Sequence, residues 1–234
     1  MKTHRAGLAL SALFFTAALV TAQTTTPTPT NRQRTRRENA QSEVDAARQT
    51  VENFAVDPNL TWFRDHARES RGLLICSMVV RAGFILGGSG GRCVLVTKSD
   101  QGFAGPAFYT IGTASIGFQA GVDRSEIILL AMTQRAVDSL MSSSVKLGAG
   151  ASVSAGPVGA GTGAVTTDFV SFSRSRGIYA GVNVSGAVIR PTSSFNNAFY
   201  GKSISPINII VQRKGHNPGG DALIATVKKL FGEK

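Results

Sequence analysis

The chain has 234 residues, of which 42% are hydrophobic and 17% are charged. This composition argues against a disordered protein and is sufficient for one domain with a sizeable core. Lysine and arginine outnumber the acidic residues by 25 to 14, which gives a formal net charge of +11. Such an excess attracts polyanions; the alternative is that it only keeps the protein in solution.

The N-terminus has the pattern of a secretory signal peptide. Lys2 and Arg5 precede the apolar run AGLALSALFFTAALV, and the small residues of VTA follow before Gln23. This order predicts that residues 1–22 are removed by cleavage after Ala22. The apolar run is about 15 residues long, whereas a helix needs about 20 to cross a bilayer, so an uncleaved anchor is the weaker alternative.

Export determines which polyanions the protein would meet. We expect a periplasmic or secreted protein that is peripheral to a membrane, where anionic lipid headgroups and envelope polymers are present and nucleic acid is not the expected partner. No segment after residue 22 reads as long and apolar enough to span a bilayer.

A linker and two helices are predicted before the β region. Residues 23–37, QTTTPTPTNRQRTRR, are rich in threonine, proline and arginine and predict a linker arm. From Glu38, apolar residues recur at spacings of three and four as far as Phe54, which predicts an amphipathic helix. Asp57 followed by Pro58 predicts the start of a second helix.

The rest of the chain predicts a β-rich domain. All but one of the 26 glycines lie at or beyond Gly72, and short apolar runs such as GLLICSMVV, RCVLVTK and EIILLA read as neighbouring strands. The glycines between residues 145 and 188 predict tight turns and bulges. We therefore expect one domain over residues 38–234, helical over 38–71 and β-rich over 72–234. The predicted fold class is α+β, with a curved antiparallel, barrel-like β core and flanking N-terminal and C-terminal helices.

Within the β-rich region, four further segments carry local signals. TQRAVDSLM has helical spacing, with Thr133 as a cap. PTSSFNNAFYGKS reads as turn-rich, INIIVQ reads as a strand, and a closing helix is expected from Asp221.

The two cysteines, Cys76 and Cys93, lie in apolar, strand-like runs. In an oxidising compartment an even pair can form a disulfide, which would contribute about 3 kcal/mol of stability. Buried free thiols are also common in such runs, so both alternatives stay open.

The sequence gives little support to enzymatic chemistry. Gly87, Ser89 and Gly91 match the G-x-S-x-G pattern of serine hydrolases, but a strand follows where that pattern requires a helix, and a hairpin loop accounts for GGSGG. Gly201, Lys202 and Ser203 match half of a phosphate-binding loop, without its first glycine. The cysteines and histidines lack metal-ligand spacing, so no metal or cofactor is expected.

The basic residues form a better candidate site, and we predict that they bind lipid. Four stand in the arm and three stand in or beside glycine-rich turns: Arg32, Arg34, Arg36, Arg37, Arg174, Arg176 and Lys202. Each cation near an anionic surface contributes about 1 kcal/mol, so the arm alone gives weak, salt-sensitive attachment and a second determinant is required. The amphipathic helix or a basic face of the β domain would supply it; the alternative is a solvated arm with a core-packed helix.

Several blocks in fixed order resemble one family, the SYLF lipid-binding domain, from about Asn59 to the C-terminus. The blocks are RGLLICSMVVRAGFILGGSGGRCVLVTK, GPAFYTIGTASIGFQAGVDRSEIILLAM, VKLGAGASVSAGPVG, FSRSRGIYAGVNVSGAVI and FYGKSIS. The chain looks like an exported bacterial member related to the fungal actin-patch SYLF proteins. The family pattern has other residues in place of Cys76 and Cys93, so a bridge between them would be specific to this chain.

The resemblance implies a non-enzymatic, phospholipid-binding protein whose lipid contact is an amphipathic N-terminal segment together with basic surface residues. Family members bind phosphoinositides in eukaryotes and actin filaments in fungi. An exported protein would meet neither of these partners, and the anionic phospholipid membrane of the envelope is the expected one. The rival hypothesis is a structural or protein-binding envelope component without lipid activity.

Overall fold

The computed structural model describes residues 31–83, 86–116, 121–157, 166–175 and 178–233. The predicted signal peptide lies outside these residues. The described helices are α1 (Asn31–Val56), α2 (Thr61–Ala67), α3 (Gln134–Leu140), α4 (Ser193–Tyr200) and α5 (Asp221–Leu230). The described strands are β1 (Gly72–Gly83), β2 (Leu86–Ser99), β3 (Gly102–Ile116), β4 (Gly121–Ala131), β5 (Val145–Lys146), β6 (Val153–Ala155), β7 (Phe169–Ser175), β8 (Ile178–Gly181) and β9 (Val188–Pro191).

All the described strands belong to one sheet. Its order is β5-β9-β3-β2-β1-β4-β7-β6, and β8 pairs with β7. The pairings are antiparallel except that of β6 with β7, which is parallel. The four long strands, β1 to β4, form the centre of the sheet, whereas the strands at its margins have two to four residues. This mixed architecture, a curved antiparallel sheet with flanking N-terminal and C-terminal helices, confirms the predicted fold class.

Each face of the sheet carries a hydrophobic core. Side chains alternate along a strand, so Leu73 and Ile75 of β1 face one core while Leu74 and Cys76 face the other. We call the first the helix-side cluster, because α1, α2, α4 and α5 pack there. The second, the inner cluster, contains the buried residues of α3 and of the short strands β5 and β9. Because both cores use the same strands, neither can form without the sheet.

Helix α1 crosses the sheet roughly perpendicular to its strands. Glu43 accepts a hydrogen bond from Arg92 of β2 at 2.7 Å, and seven residues later Thr50 donates to Glu126 of β4 at 3.0 Å. Seven helical residues rise about 10 Å, which matches the spacing of two strands at about 4.8 Å each. Next along α1, the Asn53 carbonyl accepts from Tyr179 of β8 at 3.1 Å.

Several predicted elements are confirmed in place. Thr133 caps α3 by accepting a hydrogen bond from the backbone N–H of Ala136 at 3.0 Å. The run EIILLA lies in β4, and the closing helix α5 starts at Asp221. Its apolar residues Leu223 and Val227 are fully buried.

Helix α1 begins at Asn31 rather than at Glu38, so the four arginines of the predicted linker arm are helical. The last proline of the predicted arm, Pro29, stands before this start, and the residues that follow include arginine and glutamine, which favour helix. Residues 31–37 predicted a linker because they have no apolar face, but α1 includes them.

Two predictions in the C-terminal third are wrong. The segment expected to be turn-rich contains helix α4, whose Asn196 is fully buried and accepts a hydrogen bond from the backbone N–H of Phe108 at 2.9 Å. The expected strand INIIVQ is instead a π-helix, Ile207–Val211. Asn208 accepts hydrogen bonds from the Ser205 hydroxyl at 2.8 Å and backbone N–H at 3.1 Å, which favours a helical turn over an extended strand.

The hairpin loop predicted for GGSGG is also wrong, because these residues lie inside β2 and pair on both sides. The glycines are needed for close approach: a Cβ built on Gly91 would lie 2.4 Å from the carbonyl oxygen of Met78. Glycine in this strand therefore reflects tight strand packing rather than a turn.

Candidate functional site

The first two turns of α1 carry a dense group of cations. Residues 31–39 are all exposed, and Ala40 is the first buried residue of the helix. We call the four arginines in this stretch the α1 arginine cluster: Arg32, Arg34, Arg36 and Arg37. They span about 8 Å along the helix axis. Among the residues that the structure describes, none of the four has a carboxylate within ion-pair distance, so their charges face solvent.

The apolar face of α1 is buried in the helix-side cluster. Val44, Val51 and Phe54 are each at most 1% exposed. The apolar face that the sequence suggested for insertion into a bilayer therefore packs in the core. The four arginines of the α1 arginine cluster remain exposed to solvent. Within the described ranges, no helix combines the length and apolar character needed to cross a membrane.

Arg174 is part of an internal polar network rather than a free cation. Its Nε lies 2.6 Å from Oε2 of Glu126, and its Nη1 donates to the hydroxyl of Tyr179 at 3.2 Å. The hydrogen bond to Tyr179 and the charge of Glu126 outweigh the cost of burial and raise the pKa of Arg174. The Tyr179 hydroxyl in turn donates to the Asn53 carbonyl, so this network attaches β7 and β8 to α1.

Of the seven predicted lipid-binding residues, the six that the structure describes do not form one surface. Arg174 sits beside Asn53, which is 17 residues along α1 from Arg36, or about 25 Å at 1.5 Å per residue. Lys202 is exposed after α4, where its ammonium donates to the Lys214 carbonyl at 2.8 Å. Arg176 lies outside the described residues. The structure therefore brings together only the four arginines of α1.

Cys76 and Cys93 form a disulfide between β1 and β2. Both residues are buried, at 0% and 1% exposure, inside the inner cluster. The bridge links neighbouring strands and is remote from solvent.

Within the described residues, the candidate hydrolase serine is hydrogen-bonded to a threonine and not to a histidine. Ser89 forms a hydrogen bond with the Thr113 hydroxyl at 2.7 Å, on two paired strands. His66 lies on α2, stacks on Trp62 at 3.8 Å between ring centroids and bonds to the Trp62 carbonyl through Nδ1. Gly201 is the left-handed C-cap of α4, so Gly201, Lys202 and Ser203 follow a helix instead of preceding one. In the described part of the chain, no group of three or more potential metal ligands comes together.

Two exposed arginines were not singled out from the sequence. Arg81 on β1 and Arg124 on β4 lie near the ends of neighbouring strands, where Val80 is the register partner of Arg124. They are 43 positions apart in the chain, so their proximity depends on antiparallel pairing and becomes visible only once the register is known. The nearby carboxylate, Asp123, accepts hydrogen bonds from the Ser175 hydroxyl at 3.1 and 3.0 Å.

Comparison with known proteins identifies the family. A profile described as "Ysc84: Las17-binding protein actin regulator" matches residues 112–230, which is half of the chain. The chain belongs to this Ysc84, or SYLF, family, and the resemblance read from the sequence blocks is confirmed.

Curated relatives extend the similarity beyond the profile. The chain is 30% identical over 199 residues to "Protein YSC84" of Saccharomyces cerevisiae, which covers 78% of this chain and 42% of the relative. It is 29% identical over 203 residues to "LAS seventeen-binding protein 3" of the same species, covering 80% and 44%. The human "SH3 domain-containing YSC84-like protein 1" is 28% identical over 149 residues, covering 61% and 43%. The chain thus spans less than half the length of these relatives.

Proposed function

We propose that this chain is a non-enzymatic phospholipid-binding protein that docks on an anionic membrane surface of the cell envelope, as a periplasmic or secreted protein. The observation that carries the proposal is the α1 arginine cluster, four solvent-facing cations within about 8 Å along one helix. Because the apolar face of α1 is buried, the role proposed for this helix is electrostatic, and the basic composition of the whole chain supports that proposal.

The expected strength of this attachment is modest. Each cation held near an anionic leaflet contributes about 1 kcal/mol, and the contribution decays within a Debye length of about 8 Å at physiological ionic strength. Four arginines would therefore strengthen binding by up to about three orders of magnitude at low salt. Binding should weaken steeply as salt rises.

The test is co-sedimentation of the protein, purified from a host that exports it, with vesicles of neutral lipid alone or with added anionic lipid. A variant in which Arg32, Arg34, Arg36 and Arg37 are all replaced by glutamine should bind anionic vesicles at least tenfold more weakly than wild type. The matched control removes four exposed cations elsewhere: Lys146, Arg190, Lys214 and Lys229, each replaced by glutamine.

The control variant has the same net charge as the test variant, so it separates local docking from overall charge. It should keep most of the wild-type affinity. Equal binding of wild type and the arginine variant, or undiminished wild-type binding to neutral vesicles at high salt, would contradict the proposal.

A protein-binding role is the second candidate, because the matching family is described as Las17-binding and actin-regulating. In this case the exposed surface of the domain would bind a protein of that kind. The same preparations sedimented with actin filaments in the absence of lipid distinguish the candidates: filament binding without vesicle binding would favour the protein-binding role.

A further inference from the structure

Strands β1, β2, β3, β4, β7 and β8 each have one end at the same end of the sheet. β1 and β2 end there at Gly83 and Leu86, which pair with Gly121 and Ile116. β7 and β8 end at Ser175 and Ile178, which pair with each other, and Ser175 also pairs with Ser125 of β4. We call this end of the sheet, where the strands terminate, the far edge, and we define its exposed part by Arg81, Ala82, Val122, Arg124 and Ile178.

The far edge exposes apolar side chains. Ile178 is 73% exposed and Val122 is 65% exposed, and the exposed Ala82 is the register partner of Val122. Val122 lies on the same face as the helix-side residues of β4, whereas Ile178 pairs with Ser175 on the inner face, so the two side chains leave opposite faces of the sheet. A surface that meets the sheet edge-on would contact both.

Cations flank these apolar residues. Arg81 precedes Ala82, and Arg124 lies across from Val80 on the neighbouring strand. Both arginines are exposed, and neither forms an ion pair within the described residues. The acidic residue here, Asp123, is the register partner of Arg81 and the chain neighbour of Arg124, and its carboxylate accepts hydrogen bonds from the Ser175 hydroxyl. Apolar side chains beside exposed arginines match an anionic bilayer, which offers hydrocarbon beneath a layer of negative headgroups.

The orientation of α1 allows the far edge and the α1 arginine cluster to approach the same flat membrane surface. Helix α1 crosses the strands at the level of Arg92 and Glu126, so its axis runs parallel to the far edge. Val122 is four residues beyond Glu126 on β4, or about 13 Å at 3.4 Å per residue. A helix with its side chains has a radius of about 5–6 Å, so the arginines reach within about one Debye length of a plane touching the edge.

We propose that the far edge is the apolar membrane contact of this protein, with Val122 and Ile178 entering the headgroup region of an anionic bilayer edge-on; this inference rests on the proposed function. It supplies the second determinant that four arginines require and that α1 cannot provide, because the apolar face of α1 is buried. Arg81 and Arg124 contact the headgroups beside the inserted side chains.

The first test places an environment-sensitive NBD dye on a single engineered thiol. The chain contains two cysteines and both are in the disulfide, so Val122→Cys introduces a unique free thiol. The control is Val211→Cys, on the π-helix, at a residue 58% exposed. Its neighbour Arg213 donates to the Gly102 carbonyl at 2.8 Å, which places this control at the opposite end of the strands. With anionic vesicles, the dye at 122 should shift to the blue and be quenched by lipids labelled at shallow depth, while the dye at 211 should not.

The second test measures affinity. Val122→Asp and Ile178→Asp should each weaken partitioning into anionic vesicles by about tenfold, because each replaces a shallowly inserted apolar side chain by a charged one. Val211→Asp should stay within twofold of wild type. Unchanged fluorescence of Trp62 and an unchanged thermal midpoint establish that each variant is folded.

The outcomes separate this inference from the proposed function. If wild type binds vesicles but the dye at 122 does not respond and both aspartate variants bind normally, the far edge is not the contact and the proposed function stands. If the dye at 122 shifts with protein concentration in the absence of lipid, the edge is an interface between two copies and the inference is overturned. If wild type binds no anionic vesicle, the proposed function itself has failed.

Discussion

At the scale of single residues, Asp168 shows how a carboxylate is held in a polar junction. Burial alone would raise its pKa, but donors outweigh that effect and lower it from the ordinary value of 3.8. The Ser152 backbone N–H donates at 2.9 Å, the Thr133 hydroxyl donates at 2.7 Å, and Arg135 lies 2.8 Å away. The carboxylate thereby joins the start of α3 to the strands β6 and β7.

The lowered pKa gives Asp168 a pH-dependent contribution to stability. A folded-state pKa below the unfolded one stabilises the protein at pH values above the unfolded pKa, and this contribution is lost as pH falls through the folded pKa. Asp168→Asn should lower the free energy of unfolding by about 1–3 kcal/mol at pH 7, and the difference from wild type should shrink below about pH 4. Urea denaturation at pH 7, 5 and 3 measures this, with exposed Asp100→Asn as the control; a pH-independent difference would contradict it.

Predictions for single residues succeeded where neighbours in the chain determine the surroundings of the side chain. The exposure of the four arm arginines follows from a stretch without apolar residues, and the cap at Thr133 follows from its neighbours. The state of Arg174 could not be foreseen, because its partner Glu126 is 48 positions away and meets it only through the pairing of β4 with β7.

At the scale of elements, the disulfide supports the centre of the sheet. Cys76 and Cys93 are 17 residues apart and join two strands that already pair along most of their length. A cross-link that closes a loop of this size lowers the entropy of the unfolded chain, and the corresponding stabilisation is about 3 kcal/mol.

Replacing both Cys76 and Cys93 by alanine should therefore lower the free energy of unfolding by about 3 kcal/mol without changing the fold. The measurement is guanidinium denaturation followed by circular dichroism, with and without reductant. Wild type should lose stability on reduction and the double variant should not respond. Equal stability of oxidised and reduced wild type would contradict the expectation.

A helix or strand could be predicted where its own residues show helical spacing or a β-branched run. The spacing of apolar residues identified α1, α3 and α5, and β-branched runs identified the long strands. α4 was missed because its serine and asparagine residues favour turns locally, and its helix is held by the contact of buried Asn196 with Phe108 of β3. That contact depends on the tertiary fold.

At the scale of the whole molecule, one sheet is shared by two cores. Leu129 of β4 lies in the inner cluster, while Trp62 of α2 lies in the helix-side cluster on the opposite face. Since alternate residues of the same strands build the two cores, we expect them to unfold together as a single cooperative unit.

This cooperativity can be tested with the single tryptophan of the chain. Leu129→Ala removes buried methyl groups from the inner cluster and should cost about 2–5 kcal/mol. The loss should lower the unfolding midpoint reported by Trp62 fluorescence on the other face, in step with circular dichroism. Val211→Ala, at an exposed position, serves as the control. A Trp62 transition that stays at the wild-type midpoint would show that the two cores unfold separately.

The fold class could be predicted from the chain because glycine-rich β patterns and flanking helical patterns are properties of local sequence. The candidate site could be predicted only in part: the α1 arginine cluster is contiguous in sequence, whereas the far edge is assembled from β1, β4 and β8. Its exposed Val122 and Ile178 carry no local signal, because apolar residues in strands are ordinarily buried.

The short strands at the margins of the sheet affect how readily the protein aggregates through its sheet edges. Unpaired strand edges are templates for aggregation, and long, flat edges are the most hazardous. Here the marginal strands β5, β6 and β8 have only two, three and four residues, so they offer a neighbouring chain few backbone groups to pair with. The long, apolar strands lie in the middle of the sheet with both sides paired, so their backbone groups are not available to a neighbouring chain.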